Sequence, residues 1–170
     1  MMKTNIKNNN GFTLLEAMVA ISILMVAVVA PITIAQKGLS SAVYSKNQMI
    51  ASYLAQDALE YIKNVRDENI KNSQLWLESL DSCVGESKYC QIDTIKPVTD
   101  FGVVKPYNSA VLSLDSNGFY GYDGGTPTNF MRKINIIVDP FGNNSDEAQV
   151  TATVSWNTDK VEVKTLIYNY

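Results

Sequence analysis

One ionisable side chain stands against its surroundings. Glu16 is the only charge in the apolar run from Phe12 to Ala35. A carboxylate in hydrocarbon costs about 2.5–3.5 kcal/mol on insertion scales, so a charge there marks function unless it lies wet at headgroup level. The rest of the chemical repertoire is thin. The chain has no histidine, the commonest general base and metal ligand. No nucleophile–base pair or metal-ligand cluster stands out, so no catalytic residue, metal site or cofactor is expected. Cys83 and Cys90, in "SCVGESKYCQ", have six residues between them. Outside any CxxC pattern, that spacing fits a small disulfide loop if the domain is exported, and two free thiols if it is not. Such a bridge is worth about 2–3 kcal/mol in the chain-entropy model.

Smaller signals carry less. "DPFGNNSDE", residues 139–147, gathers Asp139, Asn143, Asn144, Asp146 and Glu147, and oxygen-rich loops can hold calcium. The spacing matches no calcium motif, so a solvated turn is the better reading. "NNS" is formally a glycosylation sequon at Asn143. Tyr107, Tyr120, Tyr122, Trp156 and Tyr168 can form an adhesive surface, but at alternating strand positions they read better as core or cross-strand pairs.

These residues need elements to position them. The length and a hydrophobic content of 46% allow one domain plus appendages. Residues 1–11 hold Lys3 and Lys7; without them 12 basic residues face 17 acidic ones, a balance of −5 with no electrostatic footprint for nucleic acid. Phe12 to Ala35 has only Thr13, Glu16, Ser22 and Thr33 as side-chain polar groups. As a helix its 24 residues span about 36 Å, enough to cross a membrane. The preceding lysines predict a cytoplasmic N-terminus and an exported remainder. A conventional cleaved signal fits poorly, because Pro31 follows the small-residue site at Ala30; Ala35 offers a better one.

Beyond Ala35 the slab becomes a stripe. Leu39, Val43, Ile50, Leu54, Ala58, Tyr61 and Val65 follow helical steps, predicting one helix from about Phe12 to Val65. Its first half is expected in the membrane and its second packed on something, with a kink or loosened turn at Pro31 and a weak point at Gly38. "RDENIKNSQ" breaks the stripe, and "QLWLESL" suggests a short helix before the cysteine loop. From residue 110 the period is two. "AVLSL" and "FYGYD" flank the turn signal "DSNG". Ile134, Ile136 and Val138 share one face; Val150, Ala152, Val154 and Trp156 alternate with Thr151, Thr153 and Ser155; Val161, Val163 and Ile167 alternate with Glu162 and Lys164. A helix with one apolar stripe and an antiparallel sheet with one apolar face solve each other's burial problem. The expected class is α+β.

A short basic leader ending in Gly11, Phe12 opening the apolar run, and Glu16 in fifth place counted from it closely resemble the N-terminal signature of type IV pilins and pseudopilins. The resemblance covers about residues 3–35, and the helix-then-sheet order is similar to the family fold. It implies cleavage by a prepilin peptidase between Gly11 and Phe12, N-methylation at Phe12, and assembly through Glu16, which would meet the cationic amine of a first residue. Phe12 and Glu16 are one turn apart, so a pair within one subunit is open as well as a pair between subunits. "YLAQDALEYIKNVRDENI" and the ending "VTATVSWNTDKVEVKTLIYNY" resemble minor pilins of the PilV group more than major ones. Cys83 and Cys90 follow the helix, so the family's C-terminal disulfide loop is not carried over.

The expected organisation is a leader at 1–11, a membrane and filament-core helix at 12–35, an amphipathic continuation at 36–66 and an exported head at 67–170. The implied role is a non-enzymatic minor subunit of a type IV pilus-like filament. Its implied partners are other pilin or pseudopilin subunits, the prepilin peptidase, an inner-membrane assembly platform and, before assembly, membrane lipid. A minor pseudopilin of type II secretion or competence shares the signature. The rival from another class is a single-span, membrane-anchored binding domain that keeps residues 1–11.

Overall fold

The computed structural model describes residues 11–98, 100, 102–142 and 145–170. The leader residues 1–10, and Asn143 and Asn144 with their sequon, lie outside the described residues. The chain divides into two compact units, one ending at Tyr44 and the other formed by Ser45–Tyr170. Helix α1 (Leu14–Lys71) contributes to both, and seven strands follow it: β1 (Cys90–Ile92), β2 (Val104–Pro106), β3 (Val111–Leu114), β4 (Tyr120–Gly121), β5 (Thr126–Val138), β6 (Glu147–Trp156) and β7 (Asp159–Tyr168). The class is α+β, a long N-terminal helix with an antiparallel sheet, as the two apolar periods predict.

In the first unit every described residue is exposed, Leu39 and Val43 included. The helical stripe is buried only in the second unit, where Leu54, Ala58, Tyr61 and Val65 join Ala51, Ala55 and Ile62 in the core. Alanine at 51, 55 and 58 is fully buried on this face of the helix. Opposite lie Ile134, Ile136, Val150, Ala152, Val154 and Trp156, all buried. Each full burial of a large aliphatic side chain contributes about 1.5–3 kcal/mol.

Strand β5 organises the sheet. Along one edge it pairs with β6, Ile134 opposite Ala152 and Ile136 opposite Val150. Along the other, β1 meets it at Ile134 and β3 runs beside its first half. β6 then pairs with β7, which has no further strand neighbour among the described residues. Asn157 turns the chain between them at a φ of 49°, a left-handed conformation that asparagine tolerates better than most residues. The "DSNG" turn joins β3 to β4 as read. The Asp115 carboxylate accepts the amides of Phe119 at 2.8 Å and Asn117 at 2.9 Å, and these bonds, Phe119's first, hold its carboxyl below the usual aspartate range.

Two local expectations are corrected. The helix does not stop near Val65, because Arg66 and Asn69 continue its buried face as polar residues. Arg66 donates to the Tyr168 carbonyl and the Tyr170 hydroxyl, and Asn69 to the Glu78 carbonyl at 2.9 Å. The helix ends only where Ser73 turns left-handed, with Gln74 N–H bonded to Asn69 O and Ser73 N–H to Ile70 O, a Schellman cap. "QLWLESL" forms successive turns instead of a helix. Its bonds are of the tight i to i+3 kind, Glu78 to Leu75 and Leu80 to Leu77, and Ser79 at φ 69° interrupts them.

The cysteine loop is pinned at both ends. Cys83 and Cys90 are joined by a disulfide, fully buried, with Cα atoms 4.8 Å apart. Ile136 N–H donates to the Cys83 carbonyl and receives a bond from Gly85 N–H at its own carbonyl. Asn135 Nδ2 donates to the Gly85 and Lys88 carbonyls, both at 2.7 Å. The loop is thereby laced to β5 as well as cross-linked.

Candidate functional site

The N-terminal candidate site is built at the start of α1. Thr13 caps the helix: its hydroxyl accepts the Glu16 amide at 3.3 Å and its carbonyl the Ala17 amide at 3.1 Å. Glu16 therefore occupies the third helical position of a Thr-x-x-Glu capping sequence, a signal present in the sequence that the membrane reading overlooked. An acid in the first turn gains about 0.3–1 kcal/mol from the helix macrodipole. That is well below the 2.5–3.5 kcal/mol cost of a carboxylate in hydrocarbon. Capping alone leaves most of the charge's cost unmatched.

Phe12 lies just before the helix and is 80% exposed, with Leu14 and Leu15 exposed beside it. Phe12 precedes Glu16 by four positions, an axial rise of about 6 Å in a helix. A side chain at Gly11 would meet nothing within 4 Å. The fold itself does not require glycine there, so any steric demand comes from a visiting molecule.

The helix runs through Pro31 without interruption. Thr33 Oγ1 bonds back to the carbonyls of Val29 at 3.0 Å and Ala30 at 2.8 Å, beside the proline, and Ser22 Oγ to that of Met18 at 2.8 Å. These hydroxyls are satisfied within the helix, so between Ala17 and Ala35 no side chain needs a polar partner outside it. The segment is long and apolar enough to cross a membrane.

In the head the structure reveals a polar cluster that the sequence reading missed. Arg132, on β5, is 0% exposed. It donates to the Leu54 carbonyl (3.0 Å), Asp57 Oδ2 (3.0 Å), the Ile92 carbonyl (2.7 Å) and Thr94 Oγ1 (3.1 Å). Its Nε has no hydrogen-bond partner among the described residues. The signal was available: position 132 falls on the buried side of the alternation Phe130, Ile134, Ile136. Nearby, Lys96 pairs with Asp123 and lies 3.6 Å from Asp93 Oδ2. The Asp123 hydrogen bond first, then the surrounding carboxylates, raise the Lys96 pKa, and Lys96 lowers that of Asp123. This cluster ties α1 to β1, β5 and the loop after β1. Most of its charged and polar atoms are committed to one another, which suits a structural role better than catalysis.

The aromatic residues divide. Trp156 is buried against Phe130, with ring centroids 6.2 Å apart, and Tyr120 meets Phe130 edge-on at 6.1 Å. Tyr122 donates to the Arg132 carbonyl. Tyr107 is half-buried and Tyr168 exposed. In the 139–147 loop, Asp139 N–H bonds the Glu147 carbonyl and Asp146 accepts from Asn169. Among the described residues no three His, Cys, Asp or Glu side chains converge as metal ligands.

The family model described as the prokaryotic N-terminal methylation motif matches residues 6–30. No curated protein and no solved structure matches the chain. The motif supports a type IV pilin-like family and points to a structural assembly subunit of the pilin or pseudopilin kind, not an enzyme. It implies, in general terms, processing by a prepilin peptidase and assembly with other pilins. With the apolar N-terminal helix it fits a membrane-anchored protein with an extracytoplasmic head.

Proposed function

We propose that this chain is a minor structural subunit of a type IV pilus-like filament. Residues 1–11 form a leader removed between Gly11 and Phe12, and the new Phe12 amine is methylated. Residues 12–35 anchor the subunit in the inner membrane and then enter the filament core, 36–66 carry the helix into the head, and 67–170 complete the exported head. The observation that carries this reading is Glu16: one carboxylate in the first turn of an exposed apolar helix, one turn from Phe12. Cleavage before Phe12 makes an ammonium group, and pairing the two charges offsets much of the cost each has alone in low dielectric. Helix packing within the core supplies the remaining drive.

Mass spectrometry of the N-terminus from cells tests the processing. The expected species begins with N-methylated Phe12; a chain that keeps Met1 would refute it in favour of a simple anchored domain. Glu16→Ala tests the pairing, with cleavage and membrane insertion intact and incorporation into filaments lost. Normal incorporation would remove Glu16 from the mechanism. The minor-subunit assignment draws its support from the disulfide, which follows α1 instead of lying near the C-terminus. Deletion of the gene should leave the filament shaft in place while its number or function changes; loss of type II secretion or of DNA uptake alone would move the protein to those systems.

A further inference from the structure

The head carries a groove of about 550 Å³, within the size range of small-molecule sites. Its walls are Tyr53 of α1, Ile95 from the loop after β1, and Phe119 and Tyr120 where the DSNG turn enters β4; Asp57 and Thr94 also line it. Tyr53 is 65% exposed and Phe119 61%, a cluster of open aromatic surface of the kind that marks a binding site. The rings stand on fixed backbone. Tyr53 lies within α1, and the amide of Phe119 is held by the Asp115 carboxylate at 2.8 Å.

The polar part of the groove is prepared by Arg132. One terminal nitrogen of its buried guanidinium donates to Asp57 Oδ2 at 3.0 Å and the other to Thr94 Oγ1 at 3.1 Å. Two nitrogens of one planar group thus set a carboxylate and a hydroxyl side by side. Each keeps capacity for a ligand. The second carboxylate oxygen of Asp57, whose side chain is half exposed, has no hydrogen-bond donor among the described residues. Thr94 is bonded through its oxygen, so its own O–H remains to be donated. Asp57 is the one ionised group lining the groove among the described residues, and its charge is answered by Arg132.

We propose that the groove binds an uncharged sugar through its pyranose ring. An apolar occupant would bury the free groups of Asp57 and Thr94 without partners. An anion meets the Asp57 carboxylate, and a cation finds that charge already matched by Arg132. A hydroxyl both donates and accepts, so neighbouring hydroxyls on one edge of a pyranose answer Thr94 and Asp57 together. The C–H face of the same ring then lies on Tyr53 or Phe119, an apolar contact that needs no charge. Because Arg132 and the turn fix these groups beforehand, little ordering is left to do when the ring enters. The site lies wholly in the head, so the inference stands whether or not the chain is processed and assembled.

The test is saturation-transfer NMR on the full-length chain in lauryldimethylamine oxide, a detergent without a sugar headgroup. The probes are N,N′-diacetylchitobiose, cellobiose, lactose and maltose, and at least one is expected to bind with a millimolar Kd. Tyr53→Ala should weaken that binding about tenfold, and Tyr53→Phe should keep it, because the ring face makes the contact. Thr94→Val keeps the shape and removes the donor, and should weaken binding about fivefold; Thr94→Ser should restore it. Fluorescence of buried Trp156 checks that each variant is folded. Absence of binding by all four sugars at about 10 mM overturns the proposal. So does binding that Tyr53→Ala leaves unchanged, since the sugar then sits elsewhere. Glucuronate or glucosamine bound more tightly than the uncharged probes would show a charge-selecting site and overturn it as well.

Discussion

Arg132→Ala is expected to be among the most destabilising single changes in the head. The substitution removes a fully buried guanidinium that donates to two backbone carbonyls, Asp57 and Thr94. It leaves a cavity as long as the arginine stem and strips the buried acceptors of a partner, at a cost of about 4 kcal/mol. Arg132→Met refills most of that volume with an apolar chain but strips the same acceptors, so it recovers only the cavity share and should still cost about 3 kcal/mol. Asp57→Asn keeps a hydrogen-bond acceptor, and its half-exposed side chain brings the loss to about 1 kcal/mol. The assay is urea unfolding of the detergent-solubilised chain, followed by tryptophan fluorescence with buried Trp156 as reporter. With a slope near 2 kcal/mol per molar urea, the midpoints should fall by about 2 M for alanine, about 1.5 M for methionine and about 0.5 M for Asp57→Asn. A methionine variant as unstable as the alanine one would show that the charge itself holds the fold. An alanine shift below about 0.5 M would refute the cluster's structural role.

Further outcomes follow from other sites. Replacing both Cys83 and Cys90 with serine should cost about 2.5 kcal/mol from loop closure alone, read as a lowered urea midpoint that dithiothreitol no longer changes. Gly125 has φ +83° and a Cβ there would press into the Leu114 carbonyl, so Gly125→Ala should cost about 2–4 kcal/mol, against about 1 kcal/mol for Gly118→Ala, where space is open; equal losses would remove the steric argument. The Tyr61 hydroxyl is pushed up to about 12, by burial first and then by the Asp93 and Asp100 carboxylates. Above pH 10 the unfolded chain therefore releases a proton that the folded chain keeps, and stability falls as pH rises from 10 to about 12. Tyr61→Phe should flatten that slope while losing about 1 kcal/mol at neutral pH with the bond to the Pro97 carbonyl.

Long periodic elements were legible because burial imposes its period on them. α1 and β5 to β7 follow from Leu54, Ala58, Ile134, Ile136, Val150, Val154 and Trp156, which fall on single faces. β1, β2 and β4, three residues or fewer, are too short to display a period. The cluster around Arg132 was hidden for another reason. A charged residue on a buried face is read as a break in the pattern, and only the folded chain shows that carbonyls from α1 and β1 converge on it. Arg66 and Asn69 misled the reading of the helix end in the same way. At the N-terminus, Gly11, Phe12 and Glu16 were legible as a signature, while the capping role of Thr13 lay masked within an apolar run.

Strand β7 borders the sheet, its outer edge unclaimed by another strand among the described residues. Lys160, Glu162 and Lys164 stand exposed along it, and charges on an edge discourage a second sheet from adding there. Heads with such a border can be crowded together at high local concentration without this edge templating an uncontrolled cross-β stack.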